Sequence, residues 1–174
     1  VEANIYLLVV VPPARGDMCV LREAPGELAE LIRPSGYFNV KARRLQSFCR
    51  WYLHQGGYTV LDNMDTASLR KALLSVHGIG PETADDMLLY AFERPVFVID
   101  AYTRRLFART GLARGNESYD ALRQQVEQVF NDNVRDMNEF HALIVRHAKE
   151  HCRKQPLCPD CAVHKHCNYV RQAS

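Results

Sequence analysis

No apolar run in this chain reaches the ~18–20 residues that a helix needs to cross a bilayer. Ile5 to Val11 is apolar but far too short, and its flanks lack the form of a secretory signal. A membrane partner is therefore not expected. An intracellular place is, cytoplasmic and at the nucleoid if the source is bacterial. A dominant charge is also missing, since 22 Lys and Arg against 20 Asp and Glu leave a net +2. That balance does not by itself announce a nucleic-acid partner. There is no internal repeat or low-complexity stretch. The chain lacks an initial Met, starting at Val1, which points to a fragment or a processed product. A spread of cysteines fit for a disulfide framework is absent too. Four of the six fall within the last 23 residues, and Cys19 and Cys49 lie far from them. That arrangement favours a reducing compartment and a metal over disulfides.

What is present is helical. Glu27 to Ile32 reads as a short amphipathic helix stopped near Pro34, and Ser35-Gly36 turns the chain. A long helix is expected from about Val40 to His54, with Ala42, Leu45, Phe48, Cys49 and Tyr52 on its apolar side. Gly56-Gly57 closes it as a C-cap does. Thr66 is a good N-cap for a helix over Ala67 to Val76. Later helices are expected from about Ala101 to Thr110, from Ser118 through Val129, and from about Asp136 to His151. The last carries Phe140, Leu143, Ile144, Val145 and Ala148. Asn4 to Val11 reads as a strand or a helix start, and Pro12 to Gly16 as a loop. The whole is an all-α protein of about eight helices. A length of 174 residues suits one or two small domains with a real core.

The centre of the chain is His77-Gly78-Ile79-Gly80-Pro81, which breaks two helical patterns with a tight turn. Leu69, Leu73 and Leu74 make an apolar stripe before it; Ala84, Met87, Leu88 and Ala91 make one after it. Two helices so joined form a helical hairpin. Its glycines let another backbone come close, and the amides from Gly78 to Glu82 lie at the positive start of a helix. That is a ready phosphate site. Twenty residues beyond Gly80, Asp100 ends the apolar run Pro95-Val96-Phe97-Val98-Ile99 and precedes another helix. Asp100 can serve as a plain N-cap, as a catalytic carboxylate, or as both. Basic residues cluster in three places: Lys41, Arg43, Arg44 and Arg50; Arg104, Arg105 and Arg109; and Arg146, Lys149, Arg153, Lys154 and Lys165. Each cluster alone suits a solvated helix face, whereas several beside one hairpin favour a phosphate partner.

Cys152, Cys158, Cys161 and Cys167 have the spacing C-x5-C-x2-C-x5-C. Four thiolates on so short a loop can wrap a tetrahedral metal or an iron–sulfur cluster. The loop has too few apolar residues to fold by burial, so a metal would organise it. Zinc and local disulfides are the competing readings.

The Gly78-Ile79-Gly80 hairpin, Asp100 in Val-Ile-Asp-Ala-Tyr, and the four C-terminal cysteines together resemble endonuclease III. More broadly they resemble the helix-hairpin-helix (HhH-GPD) DNA glycosylases. The resemblance covers roughly residues 28–169 and implies a two-lobed all-α fold with its active site in the cleft between lobes. It divides the chain into an atypical or truncated segment 1–25, a lobe 26–95 with the hairpin at about 67–92, a second lobe 96–151, and a cluster loop with tail 152–174. It implies that Asp100 acts at the sugar, and that Gly78, Ile79, Gly80 and Glu82 meet DNA. Tyr37 and Phe38 fall where the family places its wedge loop, though ordinary core aromatics would look the same. Lys41, Arg104 and Lys154 would add DNA contacts. Cys152, Cys158, Cys161 and Cys167 would hold a [4Fe-4S] cluster. The implied partner is duplex DNA with a damaged base, bound by a monomer.

Three departures refine this. Bifunctional members carry a lysine two residues after the second hairpin glycine, which forms a Schiff base and cleaves the strand. Here that position is Glu82, which cannot form an imine and also suits a helix start. Gly80-Pro81-Glu82-Thr83-Ala84-Asp85 looks more like the 3-methyladenine glycosylase branch, and a monofunctional enzyme using water is expected. An alkylated purine is the first candidate substrate, because a cationic leaving base needs little acid catalysis. The first cysteine gap is five residues where endonuclease III usually has six, and the N-terminal segment is unlike the family's. A bifunctional glycosylase and a non-catalytic DNA-binding relative remain as alternatives.

Overall fold

A computed structural model describes residues 25–173. The expectations for Asn4 to Val11 and for Pro12 to Gly16 lie outside the described residues. Nothing extended pairs into a sheet among the described residues, and no helix there is long and apolar enough to cross a membrane. The fold is all-α, as the periodicity predicts. The chain divides at Arg94–Pro95 into two compact units.

The first unit begins with α1 (Pro25–Leu31), a 3-10 turn (Arg33–Ser35) and α2 (Phe38–His54). α1 packs on α2. The apolar side of α2 is the expected one: Ala42, Leu45, Phe48, Cys49 and Tyr52 are all buried, with Gln46 beside them. A side chain such as Leu45 or Phe48, fully out of water, contributes roughly 1.5–3 kcal/mol of burial. A short helix that the sequence reading missed, α3 (Tyr58–Asp62), follows. Its Tyr58 ring stacks on Phe92 at 5.2 Å, and Arg94 returns to Asp62 at 2.9 Å.

α4 (Thr66–Leu74) and α5 (Pro81–Tyr90) are the two arms of the hairpin. Asp65, not Thr66, caps α4, accepting from the Ser68 amide at 2.9 Å. Both residue types cap well; the carboxylate takes the position and Thr66 becomes the first helical residue. The arms are tied by a fork. Arg70 Nε and Nη2 donate to the two oxygens of Asp85 at 2.7 and 3.0 Å, and Asp85 is completely buried. A buried carboxylate needs such a bidentate partner.

The second unit starts with Pro95–Ile99, an irregular run in which Val96, Phe97, Val98 and Ile99 are buried. Buried backbone without a ladder must find side-chain partners. Phe97 N donates to Glu127 Oε1 at 2.9 Å and Ile99 N to Tyr119 Oη at 3.3 Å. Both partners stand on α7 (Tyr119–Phe130), capped by Ser118 as expected. Arg123 fixes Glu127 from one turn away at 2.7 Å. α6 (Ala101–Thr110) and α7 each pack on the long α8 (Val134–Glu150). A last helix, α9 (Asn168–Ala173), rests on α6. It was not anticipated.

The two hairpin glycines differ. Gly78 has φ +92°, and a Cβ there would clash with the stem of Arg44. Gly80 is at φ −98°, with nothing within 4 Å of a Cβ. Gly78→Ala should therefore cost about 1–3 kcal/mol of stability, from backbone strain and the displaced Arg44 stem. Gly80→Ala should cost less than ~0.5 kcal/mol. Urea unfolding of the two variants checks this; equal losses contradict it.

Candidate active site and cysteine loop

Asp100 is the N-cap of α6. Its backbone is extended (φ −85°, ψ 178°), its carbonyl accepts from Arg104 N at 3.0 Å, and its Oδ1 accepts from Thr103 N at 2.7 Å. It is 8% exposed. Oδ2 lies 3.7 Å from Nε2 of His141, a buried residue of α8. Burial pushes the Asp100 carboxyl up, but His141 and the Thr103 amide outweigh that and hold it below the usual carboxylate value. The result is a nearly buried, ionised carboxylate fixed at a helix start.

At the hairpin, Pro81 opens α5 and Gly80 is its N-cap. The Ile79 side chain is buried and its amide donates to Val76 O at 3.0 Å. The reading of unpaired amides from Gly78 to Glu82 is thus corrected: Ile79 serves the fold, and Pro81 has no N–H. Glu82 is exposed in the first turn of α5, a favourable place for a negative charge. Gly80, with open space beside it, is the point where a ligand backbone can approach.

The two aromatics before α2 part company. Tyr37 is 88% exposed and sits in the left-handed region at φ 48°, directly after Gly36 at φ 66°. A bulky residue there is strained. Phe38 is half-buried, with the Arg33 guanidinium 5.2 Å from its ring centroid. Lys41 donates to Ser35 O at 2.5 Å, and its own amide donates to Tyr37 O, so this lysine braces the turn that presents Tyr37.

The basic cluster on α6 turns inward. Arg104 donates to Glu117 O at 3.1 Å and Arg105 to Cys152 O at 2.7 Å. Arg109 donates to Cys152 Sγ at 3.3 Å, Arg153 O at 2.6 Å and Lys154 O at 3.1 Å, while its guanidinium stands 4.9 Å from the Tyr169 ring centroid. Guanidinium forks suit loop carbonyls as well as phosphates. The side chain of Lys154 is exposed.

The four C-terminal cysteines are free thiols, so no disulfide joins them. All four line one cavity of about 20 Å³, together with His147 and Leu106. Burial first, then the neighbouring thiols, push Cys161 above the usual thiol value, although a bond with Val163 opposes this. Cys161 Sγ is 3.5 Å from His147 Nε2, and Cys167 Sγ faces Arg109 O at 3.4 Å. The donor set matches a thiolate-bound metal in kind. In placement it does not yet: among the described residues no group of three or more His, Cys, Asp or Glu is arranged to hold a metal ion.

The profile of the HhH-GPD superfamily of base excision DNA repair proteins matches residues 20–132. The chain belongs to this superfamily. It is 40% identical to a Methanocaldococcus jannaschii protein that carries the provisional name DNA repair glycosylase, over 87% of this chain and 70% of that one. It is 27% identical to the endonuclease III of Sulfolobus acidocaldarius, over 82% of this chain and 62% of the relative. Among solved structures, the H. pylori 3-methyladenine DNA glycosylase bound to 1,N6-ethenoadenine aligns with a TM-score of 0.68. Its identity is 26%, over 84% of this chain and 74% of that one. An endonuclease III and a 3-methyladenine DNA glycosylase are thus both among the proteins this chain is similar to. The chain spans about three fifths to seven tenths of the curated relatives' length.

A carboxyl with a lowered folded pKa stabilises fully above its unfolded value of about 3.9. That contribution is lost as pH falls through the lower folded value. Asp100→Ala should therefore reduce unfolding free energy by roughly 0.5–2 kcal/mol at neutral pH, and by progressively less as pH falls below that unfolded value. Urea unfolding across this range tests it; a gap that widens on acidification contradicts an ionised cap.

Proposed function

We propose that this chain removes a damaged base from duplex DNA by hydrolysing the N-glycosidic bond, with Asp100 as the catalytic residue. The observation that carries this is the buried carboxylate held below its usual pKa at the start of α6, in a chain of the HhH-GPD superfamily. Breaking the bond builds positive charge on the sugar, which a fixed anion stabilises without reorganising. The same anion can orient an attacking water.

Gly80 and the first turn of α5 are assigned to a DNA phosphate. Tyr37 is assigned to the space vacated when the base leaves the stack, supported by its exposure and its braced, left-handed backbone. Phe38 and Lys41 support that turn, and Lys154 adds a positive charge toward the backbone. Arg104 is assigned to holding its loop, because it already serves Glu117 O.

Glu82 at the lysine position supports a monofunctional reaction in which water is the nucleophile. An alkylated purine is the proposed substrate, supported by Glu82 and by the 3-methyladenine glycosylase among the structural relatives. Cys152, Cys158, Cys161 and Cys167 are assigned to a [4Fe-4S] cluster, supported by their spacing and shared cavity. When bound, the cluster supplies a rigid tie for the loop.

On duplexes carrying single lesions, wild type should release base, and Asp100→Asn should be slowed about 100-fold or more. Equal release by both would overturn the assignment. Borohydride should trap no adduct between the wild-type chain and abasic DNA; a covalent adduct would overturn the monofunctional reading. Purified protein should absorb near ~400 nm if the cluster is present, whereas a zinc site is colourless.

A further inference from the structure

Helix α6 uses only one oxygen of Asp100. Oδ1 takes the Thr103 amide, while Oδ2 faces His141 Nε2 at 3.7 Å. That separation is longer than a hydrogen bond but close enough for electrostatic attraction. His141 comes from α8, 41 residues further along the chain. The buried stripe of α8 is Met137, His141, Ile144 and Ala148, at steps of four, three and four. Three of these are apolar; the single polar member stands where Asp100 is. The Phe97 ring meets the imidazole edge-on, with centroids 5.9 Å apart and planes at 88°, which limits rotation of the ring. The groups acting on the Asp100 carboxyl are His141 from α8 and Thr103 from α6.

A carboxylate anchored through one oxygen still rotates about its last bond, and a catalytic anion must not. We propose that His141 is a positioning residue for Asp100, holding Oδ2 so that the carboxylate stays ionised and presented in one orientation. This rests on the reading of Asp100 as catalytic. The imidazole is buried, and its assigned role is exerted through Asp100.

The test compares His141→Ala, His141→Gln and Asp100→Asn with wild type. Base release is measured from duplex DNA methylated with dimethyl sulfate, under single turnover and across pH. Binding to a duplex with an abasic-site analogue is measured in parallel. His141→Ala should slow release about tenfold or more and move the acid limb of the rate profile to higher pH. Its affinity for the abasic duplex should change less than about twofold. His141→Gln, whose amide nitrogen has a reach similar to that of Nε2, should recover most of the rate.

Wild-type rate and acid limb in His141→Ala, with Asp100→Asn inactive, would overturn the positioning role and leave Asp100 in place. A slow His141→Ala with an unmoved acid limb and no recovery by Gln would mean a merely structural residue, and also overturns it. Equal release by wild type and Asp100→Asn would defeat both readings. One measurement does not depend on substrate. The Asp100 carboxyl carbon, followed by NMR, should titrate at higher pH in His141→Ala than in wild type, and identical midpoints would overturn the proposal.

Discussion

The bond from the Thr103 amide to Asp100 Oδ1 is the contact on which the second unit turns. It ends the irregular run Pro95–Ile99 and begins α6 in one step. The run is buried and unpaired as a strand, so α7 supplies Glu127 and Tyr119 to its amides. The carboxylate that follows is held on one side by its own helix and faces His141 on the other. Nine residues on, the opposite end of α6 sends Arg109 to Cys152, Arg153 and Lys154. One helix thus carries the proposed chemistry at its start and anchors the cysteine loop at its end.

The first unit solves a different problem. A phosphate-binding turn must keep its backbone open, yet the arms beside it must not splay. The Arg70–Asp85 fork and the burial of Ile79 hold the arms, so Gly80 needs no side chain. Gly78 is required by its positive φ and by the Arg44 stem lying against it. The same economy appears before α2, where Lys41 and Arg33 brace the turn that leaves Tyr37 in solvent.

Most of this architecture is legible in the residues. The stripe of α2 and the members Ala84, Met87, Leu88 and Ala91 after the hairpin are buried as their spacing requires. The caps at Asp100 and Ser118 follow from short polar side chains before helical patterns. What escaped has physical reasons. α3 and α9 are too short to show a period. Asp65 and Thr66 are both good caps, and a single sequence does not choose between them. On α8 the apolar count favoured Leu143, which is 53% exposed. The true stripe runs through His141, which an apolar search skips, although its spacing from Met137 and Ile144 gave the signal. The loop carbonyls that Arg104, Arg105 and Arg109 hold could not be read from charge alone, which does not distinguish a carbonyl from a phosphate. The resemblance to the family is carried by the hairpin, the aspartate and the cysteines taken together, since none of the three is decisive by itself.

If the cap at Asp100 organises this unit, the Thr103 amide must be a bonded group and not a fraying first-turn donor. Hydrogen exchange of that amide, followed by NMR, measures this directly. Strong protection in wild type that collapses in Asp100→Ala is the predicted result. Rapid exchange in wild type, or equal protection in the variant, would contradict the account.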